Sequence, residues 1–179
     1  MGFLLLSGSA TAVPAYAQAP SVSVFADHTV TLTAYNAVPE QTDSTPFETA
    51  SGAYSNPEVV AARSQDLAGR LPFGTIIEID GTHASKEACG YDVVKPLIGY
   101  RVIADVMNPR YTDRIDVLFD TEPAYALTGG KVKSAGLVLG ICKGVTIRIV
   151  GYVGISRIPK TQVELAALVT GASSPLAFK

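Results

Sequence analysis

"RVIADVMNPRYTDRIDVLF", Arg101–Phe119, is the stretch on which the reading of this chain turns. Its two ends belong to "GYRVIAD" and "RIDVLFD", runs rich in β-branched and apolar residues that read as strands. Between them lies a loop with Asn108, Pro109 and Arg110. The stretch also carries Asp105, Asp113 and Asp116, a dense set of carboxylates for a chain with only 17% charged residues. Either they are turn and surface residues, or two of them face each other across a site.

Outward from this centre the chain reads as more strands joined by long loops. In "HTVTLTAYNA", Thr29, Thr31 and Thr33 alternate with Val30, Leu32 and Ala34, a period of two. "VVAARSQDL" is a short strand running into a turn, and "LPFGTIIEID" a turn followed by a strand from Thr75 to Ile79. "GVTIRIVGYVGI" is the strongest strand, with Val145, Ile147 and Ile149 on one alternation. Residues 38–58 are polar and hold Pro39, Pro46 and Pro57, a long loop. "GTHASKEACGYDVVKPLI" reads as an insertion or long hairpin. Lys131 to Leu139 fits a short helix, and "TQVELAALVTG" a last helix capped by Thr161. About six strands with little helix predict a β-rich small closed barrel.

Composition sets the limits. The 179 residues suit one domain with tails, and 47% apolar residues suffice for a packed core. The net charge of −2 with no basic run gives nucleic-acid binding no electrostatic support, so no nucleic acid is expected as partner. "MGFLLLSGSATAVPAYAQAP" is apolar and small, with Ala15-Tyr16-Ala17 as a cleavage pattern before Gln18. It reads as a signal peptide over 1–17, truncated at its start because no Lys or Arg precedes Arg63. A leader over 18–28, a barrel over 29–155 and a helix with tail over 156–179 follow. The leader is too short and too interrupted to span a bilayer, and no later stretch spans one. The expected place is therefore secreted or at the cell envelope. In that compartment Cys89 and Cys142 favour a disulfide over two separate thiols.

Five pieces in order resemble the 3D domain, named for its three aspartates: "TLTAYNA", "TPFETASG", "VVAARSQDLAGRLPFGTIIEI", "VIADVMNPRYTDRIDVLF" and "LGICKGVTIRIVG". That domain occurs in stationary-phase survival proteins and in the C-terminal part of MltA-type lytic transglycosylases. Asp105 and Asp116, eleven positions apart, fall on the last two family aspartates. The loop between them holds Met107, Asn108, Pro109 and Arg110 where small glycines are usual, and Arg63 and Ser64 stand near the first aspartate, with Asp66 just downstream. The resemblance implies an all-β fold, a six-stranded double-psi β-barrel with one or two short helices, and related barrels bind glycan strands in an open groove.

It further implies peptidoglycan glycan strands as partner and a lytic transglycosylase reaction. The bond between N-acetylmuramic acid and N-acetylglucosamine is cut when the muramic C6 hydroxyl attacks its own anomeric carbon, leaving a 1,6-anhydro sugar. One carboxyl suffices, first as acid and then as base. A second carboxylate nearby raises its pKa. Asp105 and Asp116 are the candidates for this shared role, with Asp66 a substitute for the first aspartate and Asp113 a solvated turn residue. Tyr35 can stack on a sugar or sit in the core. Thr49 and Ser51 offer hydroxyls, Gly52 a tight turn, and Asn108 and Arg110 a grip on a lactyl or peptide carboxylate. The alternative is a non-catalytic, expansin-like polysaccharide-binding module. No cofactor and no metal is expected, since His28 and His83 lack metal-site spacing. A monomer is expected.

Overall fold

The computed structural model of the protein describes residues 27–42, 45–121, 124–126 and 131–171. The expected signal peptide, most of the expected leader and the C-terminal tail lie outside the described residues. Among the described residues eight strands are present: β1 (His28–Asn36), β2 (Val60–Arg63), β3 (Thr75–Asp80), β4 (Arg101–Val106), β5 (Arg114–Phe119), β6 (Ala124–Ala126), β7 (Val132–Ser134) and β8 (Cys142–Tyr152). Three short helices accompany them: α1 (Tyr91–Ile98), α2 (Ala135–Leu139) and α3 (Gln162–Thr170).

Six strands close a mixed barrel in the order β1-β5-β2-β4-β3-β8. Two junctions are parallel, β1 with β5 and β2 with β4; the other four are antiparallel. Exchanging β1 with β4, β2 with β5 and β3 with β8 maps this order onto itself. That twofold, with one parallel junction in each half, is the double-psi arrangement. β6 and β7 form a separate ribbon.

The period-two alternation read in the sequence sorts side chains between two cores. Val30, Leu32, Ala61, Ile77, Ile103, Ile115, Val117, Val145 and Ile147 fill the barrel. Val60, Ile76, Val102, Ala104 and Leu118 face outward and pack under Leu165 of α3. Thr161 caps α3 as expected, in a capping box with Glu164. Among the described residues no helix is long and apolar enough to cross a membrane.

Three expectations need correction. Residues 81–98 are not a hairpin: their second half is α1, which buries Tyr91, Val94 and Ile98 against the barrel. Pro96 inside it removes one backbone donor, which argues against a helix in isolation. The apolar spacing of three and four wins through tertiary packing. The helix expected over Lys131–Leu139 is half strand: β7 precedes α2, whose N-cap is the Ser134 hydroxyl. His28, placed in the leader, is the first residue of β1.

Cys89 and Cys142 form a disulfide, with Cα atoms 4.7 Å apart. It ties the segment before α1 to the start of β8 across a sequence separation of 53. Closing a loop of that size restricts the unfolded chain by about 4 kcal/mol. A Cys89→Ala/Cys142→Ala protein is therefore expected to lose about 4 kcal/mol of stability, read from urea denaturation with each protein's own slope, since the uncrosslinked denatured chain expands. A midpoint equal to that of the oxidised protein would show that the bridge constrains nothing.

Candidate active site

The site is a row of four residues across the outer face of the sheet. Thr33 on β1 pairs with Asp116 on β5, Asp116 with Ala62 on β2, and Ala62 with Asp105 on β4. Directly paired residues share a face. At about 4.8 Å per strand the two aspartate Cα atoms stand roughly 10 Å apart. Only the methyl of Ala62 rises between them.

Asp105 reaches this face through a register shift. The pairing moves from Ala61↔Ile103 to Ala62↔Asp105, so β4 inserts Ala104 as an extra residue. Strict alternation after the buried Ile103 would turn Asp105 into the barrel. The bulge re-aims it outward beside Asp116.

A cleft of about 860 Å³ opens over the row. Asp105, Asp116 and Ala62 line it, with Glu40, Glu48, Thr49 and Ala50 from the long loop and Met107, Asn108, Arg110 and Tyr111 from the β4–β5 loop. The long loop is held down by its backbone. Ser51 donates its amide to the Ala104 carbonyl at 3.1 Å, and Thr49 to the Ala53 carbonyl at 2.8 Å. Gly52 makes the turn at φ +80°, a conformation that favours glycine.

The two carboxyls sit in different surroundings. Asp105 accepts three hydrogen bonds at 2.9 Å: Oδ2 from the Tyr35 hydroxyl, and Oδ1 from the amides of Ala50 and Val106. Both of its oxygens are engaged, and it fastens both Tyr35 and the long loop to the sheet. Asp116 has no such partners, and its Oδ1 is buried without a hydrogen bond. Burial pushes its pKa up to about 6. The Thr33 hydroxyl and Arg114 pull it down and the Asp105 charge adds a smaller push upward. Thr33 Oγ1 itself completes no geometrically sound hydrogen bond, so its pull is weak. Tyr35, also buried and beside Asp105, has its pKa raised well above the ordinary phenol value.

The remaining candidates divide. Tyr35, Thr49, Asn108 and Arg110 line the cleft. Tyr35 is more than a plain core residue: it lines the cleft, half-buried, with its hydroxyl spent on Asp105. Ser51 does not line the cleft; its hydroxyl lies 3.0 Å from that of Thr49, in support. Asp66 is a correction. It is exposed, lies outside the cleft, and accepts the amide of Asp113 at 3.0 Å. Interaction with the Ser64 hydroxyl and that amide lower its pKa, the opposite of what an acid needs. Its work is to hold Asp113 at φ +46° in the loop entering β5. Asp113 is solvated as expected, 3.5 Å from the ring of His28.

Glu40, Glu48 and Tyr111 were not singled out in the sequence. Glu48 adjoins "TASG", the one signal that pointed near it. Comparison with protein-family models, with curated proteins and with solved structures finds no match to this chain.

Proposed function

We propose that the chain is a 3D-type cell-envelope enzyme that cleaves peptidoglycan glycan strands as a lytic transglycosylase. One observation carries the reading: Asp116, half-buried with one carboxyl oxygen sealed from solvent and unpaired, lines a cleft beside a second carboxylate held by three donors. The sequence leaves open which aspartate carries the proton; the surroundings favour Asp116. With a pKa of about 6 it is still partly protonated near neutrality.

Asp116 donates its proton to the glycosidic oxygen as the bond to the muramic anomeric carbon breaks. The resulting carboxylate takes the proton of the muramic C6 hydroxyl as that oxygen closes on the same carbon. Asp116 is left protonated again, and no water is consumed. Asp105 does not exchange protons. It positions Tyr35 and Ala50 on the cleft wall and lends negative charge next to the oxocarbenium-like centre. No nucleophilic carboxylate is required, unlike in a retaining glycosidase.

A second reading, glycan binding without cleavage, is favoured by the solvent-sealed Oδ1 of Asp116 and by Asp66 lying outside the cleft. Incubating the mature chain with purified murein separates the two. The expected products are muropeptides ending in 1,6-anhydro-muramic acid, identified by mass. Retention on murein with no anhydro product would support the binding module and remove the enzyme.

A further inference from the structure

The end of the cleft formed by the β4–β5 loop is cationic, although the rest of its wall carries Glu40, Glu48, Asp105 and Asp116. Two guanidinium groups stack on one ring there. The Arg110 carbon lies 4.7 Å and the Arg114 carbon 4.5 Å from the centroid of Tyr111. Arg110 Nη2 also donates to the Tyr111 hydroxyl at 2.7 Å. The ion pairs of the described residues join His28 with Asp113, Lys86 with Asp92, and Arg148 with Asp27 and Glu78. Neither Arg110 nor Arg114 has a carboxylate partner among them. Arg114 Nε is buried and meets no acceptor at all.

Arg114 feels the charge of Asp116 along the strand, but neither guanidinium is in a direct ion pair among the described residues, and an exposed Arg110 held flat on a ring is a favourable arrangement for an anion. Their position is specific. Arg114 and Asp116 lie two residues apart on one face of β5, about 7 Å along the strand. Arg110 and Tyr111 line the cleft just beyond. Asn108 adds a side-chain amide whose Oδ1 is occupied by the Arg110 backbone at 3.1 Å, which turns its NH₂ outward as a donor.

We propose that Arg110 and Asn108, backed by Tyr111 and Arg114, form a carboxylate-binding subsite one sugar ring from Asp116. It selects glycan whose muramic residue bears an acid on its lactyl side, either the lactyl carboxylate of stem-free strands or a carboxylate of the peptide stem. Arg110 supplies the fork for the two oxygens, Tyr111 holds that fork flat, and Arg114 supplies the second charge. The proposal rests on the glycan reading above, but it concerns recognition and not cleavage.

Calorimetric titration of the mature protein with three probes tests it. They are a stem-free N-acetylglucosamine–N-acetylmuramic acid oligomer with free lactyl carboxylates, its lactyl methyl ester, and a stem-bearing oligomer of equal length. The acid is expected to bind about 10–100-fold more tightly than the ester, the range of one charge-assisted pair. That difference should shrink with salt and collapse in Arg110→Gln, whose melting temperature stays unchanged because Arg110 is exposed. Tighter binding of the stem-bearing oligomer than of the stem-free acid assigns the carboxylate to the peptide; weaker binding assigns it to the lactyl group, whose carboxylate the stem consumes as an amide. Ester and acid binding alike, or no loss in Arg110→Gln, overturns the subsite even if anhydro products form. Selective acid binding without anhydro products leaves the subsite standing and removes only the enzyme.

Discussion

An Asp116→Asn protein is expected to bind murein and to release anhydro-muropeptides at least about 100-fold more slowly, the usual weight of a positioned acid/base. The same substitution is expected to stabilise the fold above pH 6. The sign follows from the direction of the shift. The folded pKa of Asp116 is raised from 3.8 to about 6, so the native state binds a proton there more tightly than the unfolded chain. The stability this contributes is fully present below the unfolded value and is lost as pH rises through about 6. Over that window it amounts to roughly 3 kcal/mol. Asn cannot ionise, so the stability of the variant relative to the native chain should grow by about 3 kcal/mol between pH 3.5 and pH 8. Urea denaturation at the two pH values reads this directly. On the proposed reading the cleavage rate of the native chain falls over the same window, because the protonated acid disappears as pH rises past about 6. Native-like cleavage by the variant, or a stability difference flat with pH, would remove Asp116 from the role.

Activity and stability thus oppose each other at one side chain. An acid held in a place that disfavours its charge destabilises the fold at neutral pH, and that destabilisation is what keeps its proton available. Asp105 shows the contrast. It lies one strand beyond Ala62 on the same face, yet three donors hold it. Two like residues in one row take different parts because one has partners and the other has burial alone.

The strands were legible because both faces leave a trace in the sequence. Val30 and Leu32 go in where Thr29, Thr31 and Thr33 do not, and Val145 and Ile147 repeat the pattern on β8. The disulfide and the Thr161 cap were legible from chemistry that acts locally or by compartment. What sets the site was not. The face of Asp105 depends on the inserted Ala104, and a one-residue register shift has no signature in the residues around it. The role of Tyr35 depends on a partner 70 positions away. The helix at 91–98 had its signal in Tyr91, Val94 and Ile98, but Pro96 spoke against it. Asp66 lay next to the expected position in sequence, and the turn after β2 carried it out of the cleft.

Arg101, the first residue of β4, reads in the sequence as an ordinary charged strand end, yet it is wholly buried and its loss is expected to be the most damaging single change in the fold. Its guanidinium donates to the carbonyls of Leu97 and Ile98, which end α1 without intrahelical partners, and so closes that helix and complements its dipole. It also reaches Pro57 at 2.6 Å, Leu118 at 3.1 Å and Val60 at 3.4 Å, and lies 5.7 Å from the Phe119 ring centroid. The long loop, α1, β2, β4 and β5 all meet on this one group. Burial works against it, pushing its pKa down to about 9, which still leaves it protonated at neutral pH. Removing it relieves that cost, worth about 5 kcal/mol for the shift from 12.5. It also orphans four well-bonded carbonyls at about 1–3 kcal/mol each, about 8 in the middle of the range, for a net loss near 3 kcal/mol. Arg101→Met fills most of the volume and should stop at that figure. Arg101→Ala adds a cavity and should lose about 5 kcal/mol or more. Lys, with one compact donor group instead of a fork, keeps the buried charge and cannot span α1 and the Pro57 loop together, so it should not rescue. Denaturant midpoints of the three variants give the order. Rescue by Lys would show that charge, and not the fork, holds the junction; a stable Ala variant would show that the carbonyls find other partners and that β4, with Asp105 at its far end, is positioned without it.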